Sequence, residues 1–293
     1  MANLKNTVIN DTGFLEIPSG TTSQRPSSPA TGMFRFNTDI EGTEIYNGTG
    51  WVDLKPPPLG SEQNPALSAQ AIKDVGDDDG DGVYFIDLPT VGSTPVYCIM
   101  DSSAGDGGGY MLALKATRGT TFNYNSSYWT STNTLNTTNP DRSNTDAKFD
   151  VFNYYVASEF IAFFPDLNNG GQTSGFGSGW HWRVAGQNRT CLSRFQTETT
   201  LSNNPRGESM YVGSGFSNQL GFQRWSFNYT GDSDSSVRWG FGWNNENNQG
   251  SNDVSSGIGM TSQYESFSAG DHINCCAGTT GVNRSARVEI YVK

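Results

Sequence analysis

Oxygen-bearing side chains cluster at two places in this sequence, and the first is the glycine-containing acidic run 77–82. Asp77, Asp79 and Asp81 alternate along it with other residues. Alternating carboxylates around a glycine turn can surround one Ca²⁺ ion with oxygens. Leu88, however, occupies the twelfth position, where a complete EF-hand has a glutamate. The run therefore predicts either a calcium site or a solvated acidic loop.

The second cluster centres on the asparagine-rich segment 244–253. Amide and carboxylate oxygens at close spacing are ligands of hard cations. With two carboxylates further along the chain, the candidate metal ligands are Asn244, Glu246, Glu265 and Asp271. Nearby aromatic rings that could stack on the apolar face of a sugar are Trp239, Trp243 and Tyr264. The alternative is an asparagine-rich loop that satisfies its own backbone through Asx turns.

Catalytic chemistry has few candidate residues here. The chain has two histidines and four cysteines, and it contains no Gly-x-Ser-x-Gly, P-loop, His-Glu-x-x-His or dinucleotide motif. We therefore expect that it is not an enzyme, with a carboxylate pair for glycoside cleavage as the remaining alternative. In Trp180-His181-Trp182, strand alternation places both indoles on one face, which indicates core more than a binding platform.

The cysteines are candidates for disulfides but not for a zinc site. Their spacing matches no zinc motif, and the four candidates are Cys98, Cys191, Cys275 and Cys276. Because the two adjacent cysteines cannot easily bond to each other, any bridge would run to Cys98 or Cys191. Free buried thiols are the alternative.

Composition indicates a mostly β protein with much irregular structure and few short helices, an α+β class. Only 16% of residues are charged, while 35 are glycine and 12% are aromatic. That balance suits short strands joined by long ordered loops. The net charge of −11 argues against a nucleic-acid partner. No apolar run is long enough to predict membrane insertion, and the N-terminus lacks the apolar region of a signal peptide.

Alternation and turn signals divide the chain into two domains. Short strands are expected at 33–37, 43–46 and 51–54, with a turn at Asn47-Gly48, so residues 1–54 form a small β module. This sheet has few core residues and needs a partner or identical copies beside it. The proline-rich segment 55–64 predicts a stiff linker, and residues 65–293 a second domain. A helix is expected at 65–75 and another near 147–157. Later strands are expected at 83–86, 96–100, 110–116, 160–164, 180–184, 225–229, 237–243 and 286–292.

The segments PSGTT, QRPSSP, TGMFRFNT and EIYNGTGWV are spread over about the first 54 residues. Together they resemble a short unit found in bacteriophage tail-fibre and other virion proteins. The alternative is an ordinary β-meander whose turns contain Pro and Ser. The resemblance implies attachment to other virion proteins, with homotrimeric assembly as in fibres.

The second domain contains DGVYFI at 81–86, VYCIM at 96–100 and GGGYML at 107–112. These segments resemble the opening of fibrinogen-like domains, whose sheet is twisted and mainly antiparallel, although the cysteine that opens the family's domain is missing. The C-terminal half has an Asn-x-Glu run at 244–247, a following Gly-rich stretch and a final strand that ends the chain. In these features it is more similar to intelectins, the lectin branch that binds sugars through Ca²⁺. That likeness adds Asn247, where intelectins have a histidine, and His272 as ligand-binding candidates.

Together the residues and the resemblances lead to one functional expectation. The chain is expected on the virion surface, made in the host cytoplasm, where it recognises host surface polysaccharide reversibly, with Ca²⁺ as a candidate cofactor. The alternative is a structural decoration, neck or capsid-fibre protein without lectin activity. A polysaccharide depolymerase is the third possibility.

Overall fold

The computed structural model describes residues 13–100, 107–167, 173–174, 177–201, 222–230, 235–247, 252–262, 265–274 and 282–293. The chain divides into two compact units, one ending at Pro57 and the other beginning at Pro58. Strands dominate both, and the helices are few and short, so the predicted mostly β class is confirmed. No helix in the described ranges is both long and apolar enough to cross a membrane.

The first unit is a four-stranded sheet in the order β1-β2-β3-β4. Its strands are β1 (Ser19–Gly20), β2 (Phe34–Asn37), β3 (Gly42–Tyr46) and β4 (Trp51–Asp53). The expected turn is present, because the Asn47 side-chain oxygen accepts hydrogen bonds from the Thr49 and Gly50 amides, each at 3.0 Å. Strand β1 runs parallel to β2 and the other pairs are antiparallel. The three strands that alternation predicted are confirmed.

Among its described residues, the second unit holds two further sheets and three short α-helices. Its helices are α1 (Ala69–Val75), α2 (Asp150–Tyr154) and α3 (Cys191–Gln196). The central sheet has the order β10-β11-β9-β18-β7-β6-β5, and β8 also pairs with β7. Its strands are β5 (Gly82–Leu88), β6 (Gly92–Ile99), β7 (Tyr110–Ala116), β8 (Ala147–Lys148), β9 (Ala157–Phe164), β10 (Thr173–Ser174), β11 (Gly177–Arg189) and β18 (Val288–Val292).

The second sheet of this unit is antiparallel, with the order β12-β13-β14-β15-β16-β17. Its strands are β12 (Thr199–Thr200), β13 (Phe222–Tyr229), β14 (Ser235–Asn244), β15 (Val254–Ser262), β16 (Ser266–Ile273) and β17 (Val282–Ser285). Most of 244–271, expected to form loops, is therefore strand. The sequence did carry a signal, because the apolar residues Val254, Ile258 and Met260 recur at even spacing.

Local sequence explains where the helices begin and end. The Ser68 hydroxyl accepts a hydrogen bond from the Ala71 amide at 3.1 Å and caps the start of α1. Gly76 ends the helix in a left-handed conformation, with φ of 74°. The helix expected over 147–157 is shorter than predicted, because Ala147 and Lys148 pair with β7 as a strand.

Aromatic side chains fill the core between the two sheets of the second unit. Trp182 on β11 contacts Trp225 on β13, and Phe227 stacks on Trp239 with ring centroids 5.0 Å apart. Trp182 is buried, as strand alternation predicted. Aromatic rings thus replace the aliphatic residues that are sparse in this sequence.

The linker is shorter than expected. Residues 58–64, which were assigned to it, belong to the second unit. Gly60 is buried, and its carbonyl accepts a hydrogen bond from the Phe85 amide on β5 at 2.7 Å. The segment between the units therefore ends at Pro57, because the backbone after it already pairs with the second unit.

Candidate functional site

The predicted metal ligands of the second cluster do not converge. Glu246 follows the last residue of β14, whereas Glu265 precedes the first residue of β16. These positions lie at opposite ends of the nine-residue strand β15, about 25 Å apart at the rise of an extended strand. A single cation site containing both carboxylates, as the sequence suggested, is therefore wrong.

The sugar-stacking role expected for two tryptophans is also wrong. Trp239 and Trp243 point into the core, with 0% and 1% of their surface exposed. Asp271 is fully buried on β16, where the Ser256 hydroxyl donates a hydrogen bond to it and the Arg284 guanidinium lies 3.9 Å away. His272, the next residue, is buried as well. None of these four side chains can reach a surface ligand in this structure.

A smaller polar cluster remains at the end of β14. Asn245 donates its backbone N–H to the Asp253 carboxylate at 3.0 Å, and Glu246 donates its own to the Asn244 side-chain oxygen at 3.1 Å. Asn244 is buried, while Glu246 and Asn247 are exposed. Burial raises the pKa of Asp253, the Asn245 N–H lowers it and the charge of Glu246 raises it further. The Asn244 contact is an Asx turn, and the Asp253 contact links the end of β14 to the residue before β15.

The acidic loop before β5 uses its carboxylates to bind backbone amides. Asp77 accepts a hydrogen bond from the Leu59 amide at 2.8 Å, and Asp81 accepts one from the Met100 amide at 2.7 Å. The Asp79 amide donates to the Tyr84 hydroxyl. Across the described ranges, no three His, Cys, Asp or Glu side chains come together as a group that could hold a metal ion.

The cysteines divide between described and undescribed parts of the chain. Cys98 on β6 and Cys191 in α3 are both free and buried, so they do not bond to each other. Burial raises the pKa of each thiol above its ordinary value. Tyr264, Cys275 and Cys276 lie outside the described residues.

A groove that the sequence did not predict opens in the first unit, with a volume of about 520 Å³. Its lining is mostly apolar with a few polar groups, and comprises Pro18, Ser19, Gln24, Pro26, Gly32, Met33, Phe34, Arg35 and Trp51. Apolar walls with a few convergent polar groups are typical of binding sites. The recurring Pro and Ser residues of 18–29 were the one sequence signal for irregular structure here. They do not indicate which side chains converge on a groove.

Arg35 supplies the charged group of this groove. Its guanidinium is buried, donating from Nη2 to the Thr21 carbonyl at 3.1 Å and lying 3.8 Å from the Glu44 carboxylate. The Nη1 atom is buried and has no hydrogen-bond acceptor.

Within the described part of the chain, the edge of the sheet beside the groove is open. Strand β1 pairs only with Phe36 and Asn37, so Phe34 and Arg35 have no described strand neighbour on that side. Pro18, which precedes β1, has no N–H to extend the pairing. An added extended segment could form backbone hydrogen bonds there.

The two faces of this small sheet have unusual exposure. On one face Glu44 is fully buried and accepts hydrogen bonds from Arg25 and from the Asn37 amide group. The opposite face places Phe34, Ile45 and Val52 in one cross-strand row, with Phe34 and Val52 47% and 44% exposed. The polar face is covered and the apolar face is open.

Comparison with known proteins adds no family to this picture. No protein-family model and no curated protein sequence matches the chain.

Proposed function

We propose that this chain is a non-enzymatic bacteriophage virion protein with two tasks. The first unit assembles identical copies and attaches them to the particle, and the second recognises polysaccharide on the host surface. The observation that carries the proposal is the open apolar face of the first unit, opposite a buried ion-paired face. A unit this small gains little stability from its own core, so covering that face by neighbours is favourable.

Attachment uses the groove and the open edge of β2. An extended segment of a neighbouring virion protein adds a strand beside Phe34 and places an apolar side chain against Trp51 and Met33. The free Nη1 of Arg35 donates to a carbonyl oxygen of that segment. The apolar row of Phe34, Ile45 and Val52 is covered by other copies of this chain in a homotrimer.

Recognition belongs to the second unit. Its two packed sheets form a rigid support, and the exposed residues Glu246 and Asn247 project from the end of β14. Three copies held together by the first unit would convert weak binding of single sites into useful avidity. This half of the proposal rests on the resemblance to fibrinogen-like and intelectin domains.

The second candidate function is a structural decoration, neck or capsid-fibre protein. Burial of Trp239, Trp243 and His272 favours it, because these residues were expected to contact sugar. A decoration protein needs the same assembly surface on the first unit but no ligand on the second.

Binding of the purified full-length protein to a panel of candidate host cells tests the proposal. The protein is labelled with a fluorophore and applied with and without a calcium chelator, and cell-bound fluorescence is measured. Saturable binding to at least one strain is expected. Absence of binding to every strain, for protein that still assembles onto particles, would favour the decoration function.

Two further readouts separate the remaining possibilities. Loss of binding with chelator and its return with added Ca²⁺ would assign a calcium-dependent site and direct mutagenesis to Glu246 and Asp253. Release of reducing ends from host polysaccharide would contradict the non-enzymatic assignment and indicate a depolymerase.

A further inference from the structure

The groove of the first unit lies over one face of its sheet. Trp51 on β4 pairs with Tyr46, whose amide donates a hydrogen bond to the Met33 carbonyl at 2.8 Å. These three residues therefore form one cross-strand row, and its two ends, Met33 and Trp51, both line the groove. The two ends are two strand spacings apart, about 10 Å. A ligand that contacts both ends therefore crosses the sheet, whereas a strand added at the edge of β2 runs beside it.

The indole of Trp51 is held in place yet keeps an unused donor. Its ring packs against Tyr46 with centroids 5.7 Å apart, and the Arg25 guanidinium lies 6.0 Å from its centroid. Trp51 is half-buried, and its Nε1 atom donates to no acceptor in the described part of the chain. That atom is not among the buried unpaired donors, so it is open to solvent and to a ligand in the groove.

Gln24 provides a second donor on the lining of the same groove. Its Oε1 atom accepts a hydrogen bond from the Thr21 amide at 2.9 Å, and this bond orients the side-chain amide. Gln24 is exposed, and its Nε2 group donates to no residue that the structure describes. Because Oε1 is already engaged, the group that Gln24 offers to a ligand is a donor.

The walls of the groove are apolar and open to solvent, which favours an apolar ligand. Pro18, Pro26, Met33 and Phe34 line it and are all exposed. A segment that crosses the sheet cannot join its ladder, so each backbone N–H that it buries loses water without gaining a partner. Proline has no N–H, and the polyproline II conformation has no internal hydrogen bonds, so its carbonyl oxygens remain free to accept. The two unused donors match such a segment.

We propose that the groove binds a proline-rich segment in the polyproline II conformation, contributed by the neighbouring virion protein to which this chain attaches. The Trp51 N–H and the Nε2 group of Gln24 donate to carbonyl oxygens of the segment. Its proline rings lie against the indole and against Met33. This inference rests on the proposed attachment function for the source of the segment, and it names the chemistry of that segment. The binding of a proline-rich peptide itself does not depend on that function.

The first test titrates end-capped hexaproline into the full-length protein. A polyproline II segment of six residues is about 19 Å long, so it spans the row from Met33 to Trp51. Binding is measured by calorimetry and by NMR of the Trp51 indole N–H, which is assigned as the resonance that Trp51→Phe removes. We expect a saturable shift of that resonance and a Kd on the order of 0.1 mM. An end-capped Gly-Ser hexapeptide, which has an N–H on every residue and no preformed conformation, should bind at least tenfold more weakly.

Two substitutions remove the donors one at a time. Gln24→Glu keeps the acceptor for the Thr21 amide and removes Nε2, so it should weaken hexaproline binding about fivefold and leave the fold intact. Trp51→Phe keeps an aromatic ring and removes the N–H, and a loss of similar size is expected. Gln63→Glu makes the first of these changes at an exposed glutamine of the second unit, and it is the matched control that should bind as the wild type does.

Three results would overturn the site. They are no saturable binding of hexaproline by the wild type, equal binding of hexaproline and the Gly-Ser peptide, and equal affinity of Gln24→Glu and the wild type for hexaproline. Trp51→Phe supports the site only when its NMR spectrum otherwise matches that of the wild type. If it does not, Gln24→Glu decides, because that substitution changes only an exposed side chain.

A second arm tests the source of the segment. Particles that lack this protein are incubated with it, and the bound protein is measured by sedimentation with and without excess hexaproline. Hexaproline should displace the protein from the particles, whereas the Gly-Ser peptide should not. Hexaproline that binds the protein but leaves its attachment unchanged would contradict attachment through the groove and leave the proline site standing. Attachment to particles by a protein that binds no hexaproline would overturn the proline site and leave the attachment function standing.

Discussion

The indole rings of Trp182 and Trp225 meet edge to face, with centroids 4.7 Å apart and planes at 84°. Trp182 belongs to the central sheet and Trp225 to the second sheet, so this contact joins the two layers of the second unit. Removing one ring leaves a cavity that the surrounding aromatic residues cannot fill. We expect Trp182→Ala to lower the free energy of unfolding by about 3–5 kcal/mol, measured by chemical denaturation.

Val156→Ala provides the control for that substitution, because Val156 is largely exposed. It should change the free energy of unfolding by about 0.5 kcal/mol or less. If Trp182→Ala lowers the free energy of unfolding no more than Val156→Ala does, the packing of the two sheets does not depend on the Trp182 contact.

Lys148 predicts a pH dependence at alkaline pH. Its ammonium is buried and donates to the Tyr128 and Ser131 carbonyls, each at 2.7 Å, and burial lowers its pKa from 10.5 to about 8. Above pH 8 the folded lysine is neutral while the unfolded lysine stays charged, so the native state binds fewer protons. The free energy of unfolding therefore gains about 2 kcal/mol from this group between pH 8 and 10.

Tyrosines titrate in the same pH range as Lys148. The contribution of Lys148 is therefore measured as the difference in free energy of unfolding between the wild type and Lys148→Met. The difference in free energy of unfolding between the two proteins should change by that amount across pH 8 to 10. Lys73→Met, which removes a partly exposed lysine, should keep the wild-type slope. A pH-independent difference for Lys148→Met would refute the assignment.

Glu44 predicts acid sensitivity of the first unit. Its hydrogen bonds from Arg25 lower its pKa below 4.5, and the Asn37 amide adds to the effect while burial opposes it. A carboxylate whose pKa is lowered by folding stabilises the native state above its unfolded pKa, and that stabilisation is lost as pH falls. The first unit should therefore lose stability below about pH 4.5, followed by ¹⁹F NMR of fluorinated Trp51.

Glu44→Gln should destabilise the first unit at neutral pH and remove most of this acid sensitivity. Glu41→Gln, at an exposed position of the preceding turn, is the control. It should keep the wild-type stability at neutral pH and the wild-type acid sensitivity. Equal acid transitions in the wild type and Glu44→Gln would assign the sensitivity to other carboxylates.

The open apolar face of the first unit predicts the effect of a charge on assembly. Val52 lies in the row with Phe34 and Ile45, so Val52→Asp would bury a carboxylate in the proposed trimer interface. We expect a trimer for the wild type and a monomer for Val52→Asp in analytical ultracentrifugation. Val83→Asp introduces the same charge at an exposed valine of β5 and should remain trimeric. A wild-type monomer would remove the basis for avidity.

Local patterns in the sequence were sufficient for many individual elements. Alternation identified β2 and β3, the Asn47-Gly48 turn signal indicated β4, and the strongly apolar run at 110–116 matched β7 residue for residue. The aromatic and glycine content indicated the mostly β class. These predictions succeeded because strand alternation and turn chemistry depend on neighbouring residues alone.

Tertiary structure decided which elements lie side by side and which side chains reach the surface. Strand β18 ends the chain yet lies between β7 and β9, and no local pattern specifies such pairing. Strand β15 separates Glu246 from Glu265, and the second sheet encloses Trp239 and Trp243. Residue type states what chemistry a side chain can perform, whereas its neighbours and exposure follow from contacts between residues far apart in the chain.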